Sequence, residues 1–221
     1  MFKKLKFKNS TLLLIGLIII IIGVSIGLYE YFVERKNETF IDMNIKLYES
    51  ELPEIIYKEE NEESIEEEKE NSTEEIIKDE NDKNNSSNEN YNYIGILEIP
   101  KINLKNGFFD INSRYNNVDY NVTIIKGSTF PGTQNNNLIL AAHSGNCPVC
   151  YFDKLYKLQL NDEAYLFYNN IKYVYRIVDI YNVEKDGTVA IYRDNNKNTL
   201  TLITCTRNSS TEQTVYILEQ V

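Results

Sequence analysis

The feature that most constrains this 221-residue chain is an uncharged apolar run near its N-terminus. The run extends from Thr11 to Tyr29, is rich in Ile and Leu, and is long enough to span a bilayer as a helix. A cleavable signal peptide is the alternative, but its apolar region is usually shorter and ends at a small-residue cleavage site. Here aromatic residues typical of a membrane interface follow the run. We therefore predict an uncleaved transmembrane anchor.

Charged residues on both flanks of this run bear on its orientation. Four lysines precede it, Lys3, Lys4, Lys6 and Lys8. They favour a cytoplasmic N-terminus, although Arg35 and Lys36 on the other flank weaken the bias. We predict a single-pass protein of the cell membrane whose remaining chain is extracellular.

The formal net charge of -10 is concentrated in one segment. Residues 51–90 carry 16 acidic and 4 basic side chains, whereas residues 91–221 carry 12 of each. So polar a segment cannot bury enough apolar surface to offset its ordering entropy, and its like charges extend it. We interpret it as a flexible tether that lifts the following domain from the membrane, with a ligand-binding acidic tail as the alternative. The neutral C-terminal part lacks the basic surface that nucleic-acid binding requires.

These observations divide the chain into three parts. Residues 1–36 form the cytoplasmic N-terminus and anchor, residues 37–90 a membrane-proximal helix and acidic linker, and residues 91–221 the folded domain. The helix is suggested by Phe40, Met43 and Leu47 at helical spacing, and a frayed stalk is the alternative.

The C-terminal part has the texture of many short strands, since short apolar runs alternate with Asn, Gly and Asp. Strands are predicted at 94–99, 103–108, 122–126, 138–142, 163–168, 172–181, 199–204 and 214–218. Asn169 and Asn170 predict a hairpin turn, and Phe152, Leu155 and Leu158 predict one short helix over 151–160. Eight strands in about 130 residues predict a mainly β domain built as a closed or nearly closed barrel.

Two residues able to carry chemistry end apolar strands. His143 follows the strand at 138–142, and Cys205 follows the strand at 199–204. Alone, such a His is more often a hydrogen-bonded structural residue, and such a Cys is more often inert packing. Together, each before a polar loop, they indicate a Cys/His site for nucleophilic catalysis.

The other two cysteines form a Cys-x-x-Cys motif at Cys147 and Cys150. Such a pair is compatible with a disulfide, a redox pair or half of a metal site. With His143 and Cys205 it would make a chemically sensible zinc set. We expect a surface disulfide or two unpaired thiols, because an extracellular compartment permits oxidation, and we predict no metal or cofactor.

Three segments resemble the sortase family of cysteine transpeptidases. They are IGILEIPKI at 94–102, LAAHSG at 140–145 and TLITC at 201–205, supported by Pro131, Gly132 and Asn137 in the turn before the His strand. The resemblance covers about residues 93–221. It implies an eight-stranded sortase-like β-barrel with one or two short helices at the cell surface of a Gram-positive-type bacterium.

The resemblance also implies a reaction and its partners. Cys205 would attack a sorting signal similar to Leu-Pro-x-Thr-Gly near the C-terminus of a secreted protein, and His143 would transfer protons. The acceptor would be an amine of a peptidoglycan precursor or of a pilin lysine. The alternative is a membrane-tethered β-barrel binding module that is inactive or stabilised by zinc.

One family feature departs from the expected pattern. The family's arginine, which holds substrate and stabilises the oxyanion, normally lies on the final strand, where this chain has Thr214 or a neighbour. Arg207 is the only arginine after Cys205. We therefore predict a catalytic set of His143, Cys205 and Arg207, with a solvent-facing Arg207 as the alternative.

Overall fold

A computed structural model describes residues 9–50 and 92–221. The lysines before the anchor and the predicted tether at 51–90 lie outside the described residues. One helix, α1 (Asn9–Ser50), contains the predicted anchor and continues through the membrane-proximal segment. At 1.5 Å per residue its 42 residues extend about 60 Å, roughly twice the hydrocarbon thickness of a bilayer. By length and composition α1 is able to cross a membrane.

The folded part is one eight-stranded sheet. Its strands are β1 (Gly95–Ile99), β2 (Leu104–Phe108), β3 (Thr123–Ile124), β4 (Asn137–Ala141), β5 (Glu163–Tyr168), β6 (Ile171–Glu184), β7 (Thr199–Cys205) and β8 (Glu212–Gln220). They pair in the order β2-β1-β5-β6-β8-β7-β4-β3. A parallel bridge joins Phe108 at the end of β2 to Val122, the residue before β3. It brings the two edges of the sheet together. The predicted mainly β, nearly closed barrel is confirmed.

The predicted hairpin turn agrees with the structure, whereas the predicted short helix does not. Asn169 and Asn170 have φ angles of 49° and 63°, the left-handed pair that a two-residue hairpin between β5 and β6 requires. The helix predicted over 151–160 is reduced to a single 3₁₀ turn, Leu155–Lys157, and a second one lies at Pro100–Ile102. The apolar residues at 152, 155 and 158 are buried, but short turns and not a helix bring them to the core.

Strands β4 and β7 are buried on both faces of the sheet. Alternate residues such as Leu140 and Leu202 fill the barrel interior. The residues between them, including Ile139 and Ile203, form an apolar cluster on the outer face, against which the β6–β7 loop packs Val189 and Ile191. This alternation follows from the period of two along a strand. Strands β4 and β7 are therefore packed on both faces almost to their last residues.

The end of α1 packs on the barrel beside β1 and β2. Ile45 and Tyr48 share a cluster with Tyr93, and Lys105 forms a 2.7 Å ion pair with Glu49. Tyr93 is the second described residue after the acidic segment. Both described flanks of that segment therefore meet the barrel at the same cluster.

Candidate active site

The pairing of β4 with β7 brings His143 and Cys205 to the same place. The two strands are parallel neighbours, and their last paired residues are Ala141 and Ile203. Two residues further along each strand are His143 and Cys205. Two hydrogen bonds continue the pairing past the strand ends, from Thr204 Oγ1 to the Ala142 carbonyl (2.9 Å) and from Ser144 Oγ to the Cys205 carbonyl (2.7 Å).

Both side chains belong to the outer face of the barrel. Ala141 and Ile203 lie in the outer apolar cluster, and a residue two positions further along a strand projects to the same face. The Cys205 thiol is free and half-buried, and His143 is partly exposed. Both side chains are therefore partly accessible to solvent at this edge of the barrel.

Cys205 has a cationic neighbour that the sequence analysis missed. Lys185 Nζ lies 3.6 Å from Cys205 Sγ. Lys185 directly follows β6, and its backbone N–H donates a 2.7 Å hydrogen bond to the Thr211 carbonyl. A cation beside a cysteine favours the thiolate, which is the nucleophilic form.

His143 has a carboxylate neighbour that was also missed. Its Nε2 lies 3.2 Å from Asp119 Oδ1, and its backbone carbonyl accepts a 3.0 Å hydrogen bond from the Phe152 N–H. The Asp119 side chain is 72% exposed, so water screens this pair. A pair this exposed contributes little to the stability of the fold.

Arg207 follows the end of β7, two residues after Cys205, but its guanidinium packs on an aromatic ring and not on the thiol. Its guanidinium is 4.0 Å from the centre of the Tyr156 ring, within cation–π distance. Arg207, Tyr156 and Cys205 all line a cavity of about 540 Å³, whereas neither His143 nor Lys185 does. Among the described residues, no hydrogen bond joins Arg207 to Cys205.

Strand β8, where the family's arginine was expected at Thr214 or a neighbour, contains no arginine, and Thr214 takes part in a hydroxyl network. Thr214 Oγ1 lies 2.9 Å from Thr206 Oγ1 and 3.0 Å from Asn182 Oδ1. Two further arginines are engaged elsewhere. Arg176 pairs with Glu163, and Arg193 donates to backbone carbonyls, one of them that of Asn135.

Cys147 and Cys150 are joined by a disulfide in the segment that follows His143. Two sulfurs bonded to each other have no thiolate to offer a metal, so the alternative zinc set is not formed. In the described part of the chain, no group of three or more His, Cys, Asp or Glu residues is placed to hold a metal ion. Gly145, with φ of 120°, turns the chain between His143 and the disulfide, a conformation that glycine adopts readily.

Comparison with known proteins decides the family. The model of the sortase domain matches residues 97–219, more than half of the chain. The chain belongs to the sortase family. No curated protein sequence matches it closely enough to count as a relative.

Solved sortases of several classes share the fold. A sortase D5 transpeptidase of Clostridium perfringens is 22% identical, with a TM-score of 0.51 over 60% of this chain and 81% of that one. A lid mutant of sortase A from Corynebacterium diphtheriae is 23% identical, with a TM-score of 0.52 over 58% and 70%. Sortase C1 of Streptococcus agalactiae is 27% identical, with a TM-score of 0.51 over 58% and 67%. Family membership supports a transpeptidase activity of the sortase type.

Proposed function

We propose that this sortase is a membrane-anchored cysteine transpeptidase. It cleaves a C-terminal signal similar to Leu-Pro-x-Thr-Gly and transfers the acyl group to an amine of a cell-wall precursor or a pilin. The observation that carries the proposal is the placement of His143 and Cys205 at the ends of adjacent parallel strands, on one face of the barrel. Family membership supports the reaction type.

In the first half of the reaction the Cys205 thiolate attacks the Thr carbonyl carbon of the signal. A C–S bond forms, and the carbonyl oxygen carries the negative charge of the tetrahedral intermediate. As the intermediate collapses, the C–N bond to Gly breaks and the His143 imidazolium donates a proton to the departing amine. The product is a thioester on Cys205, which divides one difficult acyl transfer into two easier ones.

In the second half an incoming amine attacks the thioester. Neutral His143 accepts a proton from that amine, a new C–N bond forms, and the C–S bond breaks to restore the thiolate. The developing oxyanion requires hydrogen-bond donors, and we assign this role to Arg207 together with backbone N–H groups. Its support is that Arg207 and Cys205 line the same cavity.

The same proposal includes the topology. Residues 1–36 form the cytoplasmic end and anchor, residues 37–90 the membrane-proximal helix and acidic linker, and residues 91–221 the catalytic barrel outside the cell. Protease added to intact cells should remove the barrel and leave the N-terminus protected. Protection of the whole chain would refute this orientation.

The chemistry is tested with the full-length protein in detergent and a labelled sorting-signal peptide. We expect intact-mass analysis to find the acyl adduct on Cys205, and Cys205→Ala to abolish both adduct and transfer. His143→Ala should preserve the fold and reduce turnover by about 10²- to 10⁴-fold. Unchanged turnover in either variant contradicts the assignment of that residue.

The second candidate, an inactive binding module, is favoured by one observation, the lack of an arginine on β8, where the family's arginine normally lies. It predicts that the same peptide binds without forming an adduct. A peptide library distinguishes the two, because the enzyme cleaves some members and the module cleaves none.

A further inference from the structure

We propose that Lys185 supplies the cation that pairs with the Cys205 thiolate in the resting enzyme. The inference rests on the proposed function and adds a residue to its machinery. Lys185 Nζ is 3.6 Å from Cys205 Sγ, so the lysine contacts a reacting atom directly.

The fold places Lys185 there through strand register. Cys205 on β7 is paired with Gln213 on β8, and Gln213 is paired with Val183 on β6. Directly paired residues project to the same face of a sheet, and Lys185 is two residues beyond Val183. The backbone hydrogen bond from Lys185 to Thr211 fixes its main chain at this position. The lysine side chain therefore reaches along the outer face toward the thiol, on the face that carries His143.

No other cation in the described structure makes this contact. The guanidinium of Arg207 lies on Tyr156, those of Arg176 and Arg193 are engaged away from the site, and β8 contains no arginine. Among the described residues, Lys185 forms no ion pair with a carboxylate that would compete for its charge. The contact with Cys205 Sγ is its one side-chain interaction there.

The chemistry required of Lys185 is electrostatic. Its ammonium stabilises the negative sulfur before attack and gains or loses no proton during the reaction. A charge-assisted contact of this kind is stronger than a neutral one, but partial exposure to water reduces it. We expect the loss of the charge to slow reactions of the thiolate by about tenfold.

Alkylation of the thiol tests this without any substrate. Because Cys147 and Cys150 are joined, Cys205 is the single free thiol, and the mass gain from iodoacetamide at neutral pH reports its reactivity. The full-length protein in detergent is compared as wild type, Lys185→Met, Lys185→Arg and the control Lys154→Met, which removes an exposed lysine elsewhere. Circular dichroism establishes that each variant is folded.

We expect Lys185→Met to alkylate about tenfold more slowly, Lys185→Arg to recover most of the rate, and Lys154→Met to match the wild type. Added salt should slow the wild type and leave Lys185→Met unaffected. A wild-type alkylation rate in Lys185→Met overturns the proposal. If Lys185→Met alkylates more slowly but the wild type transfers no peptide, the Lys185 contact is supported and the proposed function is contradicted. The two failures are therefore distinguishable.

Discussion

The Ser144 hydroxyl donates a 2.7 Å hydrogen bond to the backbone carbonyl of Cys205. Ser144 directly follows His143, so this bond ties the chain at the imidazole to the chain at the thiol. It extends the pairing of β4 with β7 beyond their last paired residues, Ala141 and Ile203. The relative position of the two candidate catalytic residues therefore depends on a side chain with no chemical role of its own.

Ser144→Ala should reduce kcat for the sorting peptide by about fivefold, since a hydrogen bond contributes about 1 kcal/mol. Ser144→Thr should recover most of the loss. The control is Thr133→Ala, because the Thr133 hydroxyl likewise donates to a backbone carbonyl, that of Phe130 at 2.9 Å. The control should affect stability without changing kcat, and equal kcat values in Ser144→Ala and wild type would contradict the positioning role.

Asp119→Asn should have a small effect on turnover. The Asp119–His143 pair is exposed, and such pairs contribute about 0.2–1 kcal/mol, so we expect a decrease of less than about fivefold. Raising the salt concentration should bring the wild-type rate toward that of the variant. A decrease of about 10²-fold or more would show that Asp119 takes part in proton transfer.

The sequence predicts the barrel because its signals are local. Strand β5 is predicted with its observed bounds, Glu163–Tyr168, since both ends have strong turn residues. Strand β6 extends to Glu184 and β8 begins at Glu212, beyond the predicted ends, because these two polar residues are paired with each other across the sheet. That pairing depends on tertiary structure and leaves no periodic apolar pattern.

The candidate site likewise contains residues that the sequence predicts and residues that only tertiary structure brings together. His143 and Cys205 are predicted from sequence because each follows an apolar strand within a recognisable segment, and the structure places them at the ends of adjacent strands. Lys185 and Asp119 are missed because one lies in the β6–β7 loop and the other 24 residues before His143, in segments without such a signal. Arg207 is predicted near Cys205 from its proximity in sequence, and the two residues line one cavity, but the contact of Arg207 with Tyr156 depends on how the segment after the disulfide folds back.

The Cys147–Cys150 disulfide should constrain the segment that follows His143. We expect reduction of the disulfide to change turnover in the wild type, because it alters how this segment opens to the peptide. The double variant Cys147→Ser/Cys150→Ser should resemble the reduced enzyme. The measurement is kcat/KM with and without reductant, with Cys205 reactivity checked separately. An equal response to reductant in the double variant would show that the disulfide is not the cause.

Alkaline pH should destabilise the barrel through Tyr216, which lines the cavity beside Cys205. Burial raises the pKa of Tyr216 to about 12, whereas an unfolded tyrosine titrates near pH 10. The unfolded chain therefore loses this proton first, so the contribution of Tyr216 is present below about pH 10 and lost as the pH rises through about 12. Its full size is on the order of 2–3 kcal/mol.

Thermal unfolding at pH 9 and pH 11.5 measures this effect. Tyr216→Phe should lose less stability than the wild type between the two pH values, because Phe cannot ionise in either state. Tyr120→Phe, which alters an exposed ring, should behave as the wild type. Equal losses in all three proteins would mean that Tyr216 ionises as easily folded as unfolded.

Arg207 is expected to act on the substrate side of Cys205. Its guanidinium is supported by the Tyr156 ring at 4.0 Å and lines the cavity that Cys205 also lines. Arg207→Ala should lower kcat by about 10²- to 10³-fold, the usual effect of losing one oxyanion donor. Arg207→Lys should recover little, because lysine lacks the planar fork of donors.

Two variants separate this role from general damage. Tyr156→Leu removes the supporting ring and should cost a smaller factor, about fivefold, in line with a cation–π contact of about 1 kcal/mol. Arg193→Ala removes a guanidinium bound to the Asn135 carbonyl and should leave kcat unchanged. If Arg207→Ala leaves kcat nearly unchanged while Lys185→Met lowers it severely, the lysine stabilises both the thiolate and the oxyanion. If both variants are nearly silent, backbone N–H groups stabilise the oxyanion and neither cation takes part in catalysis.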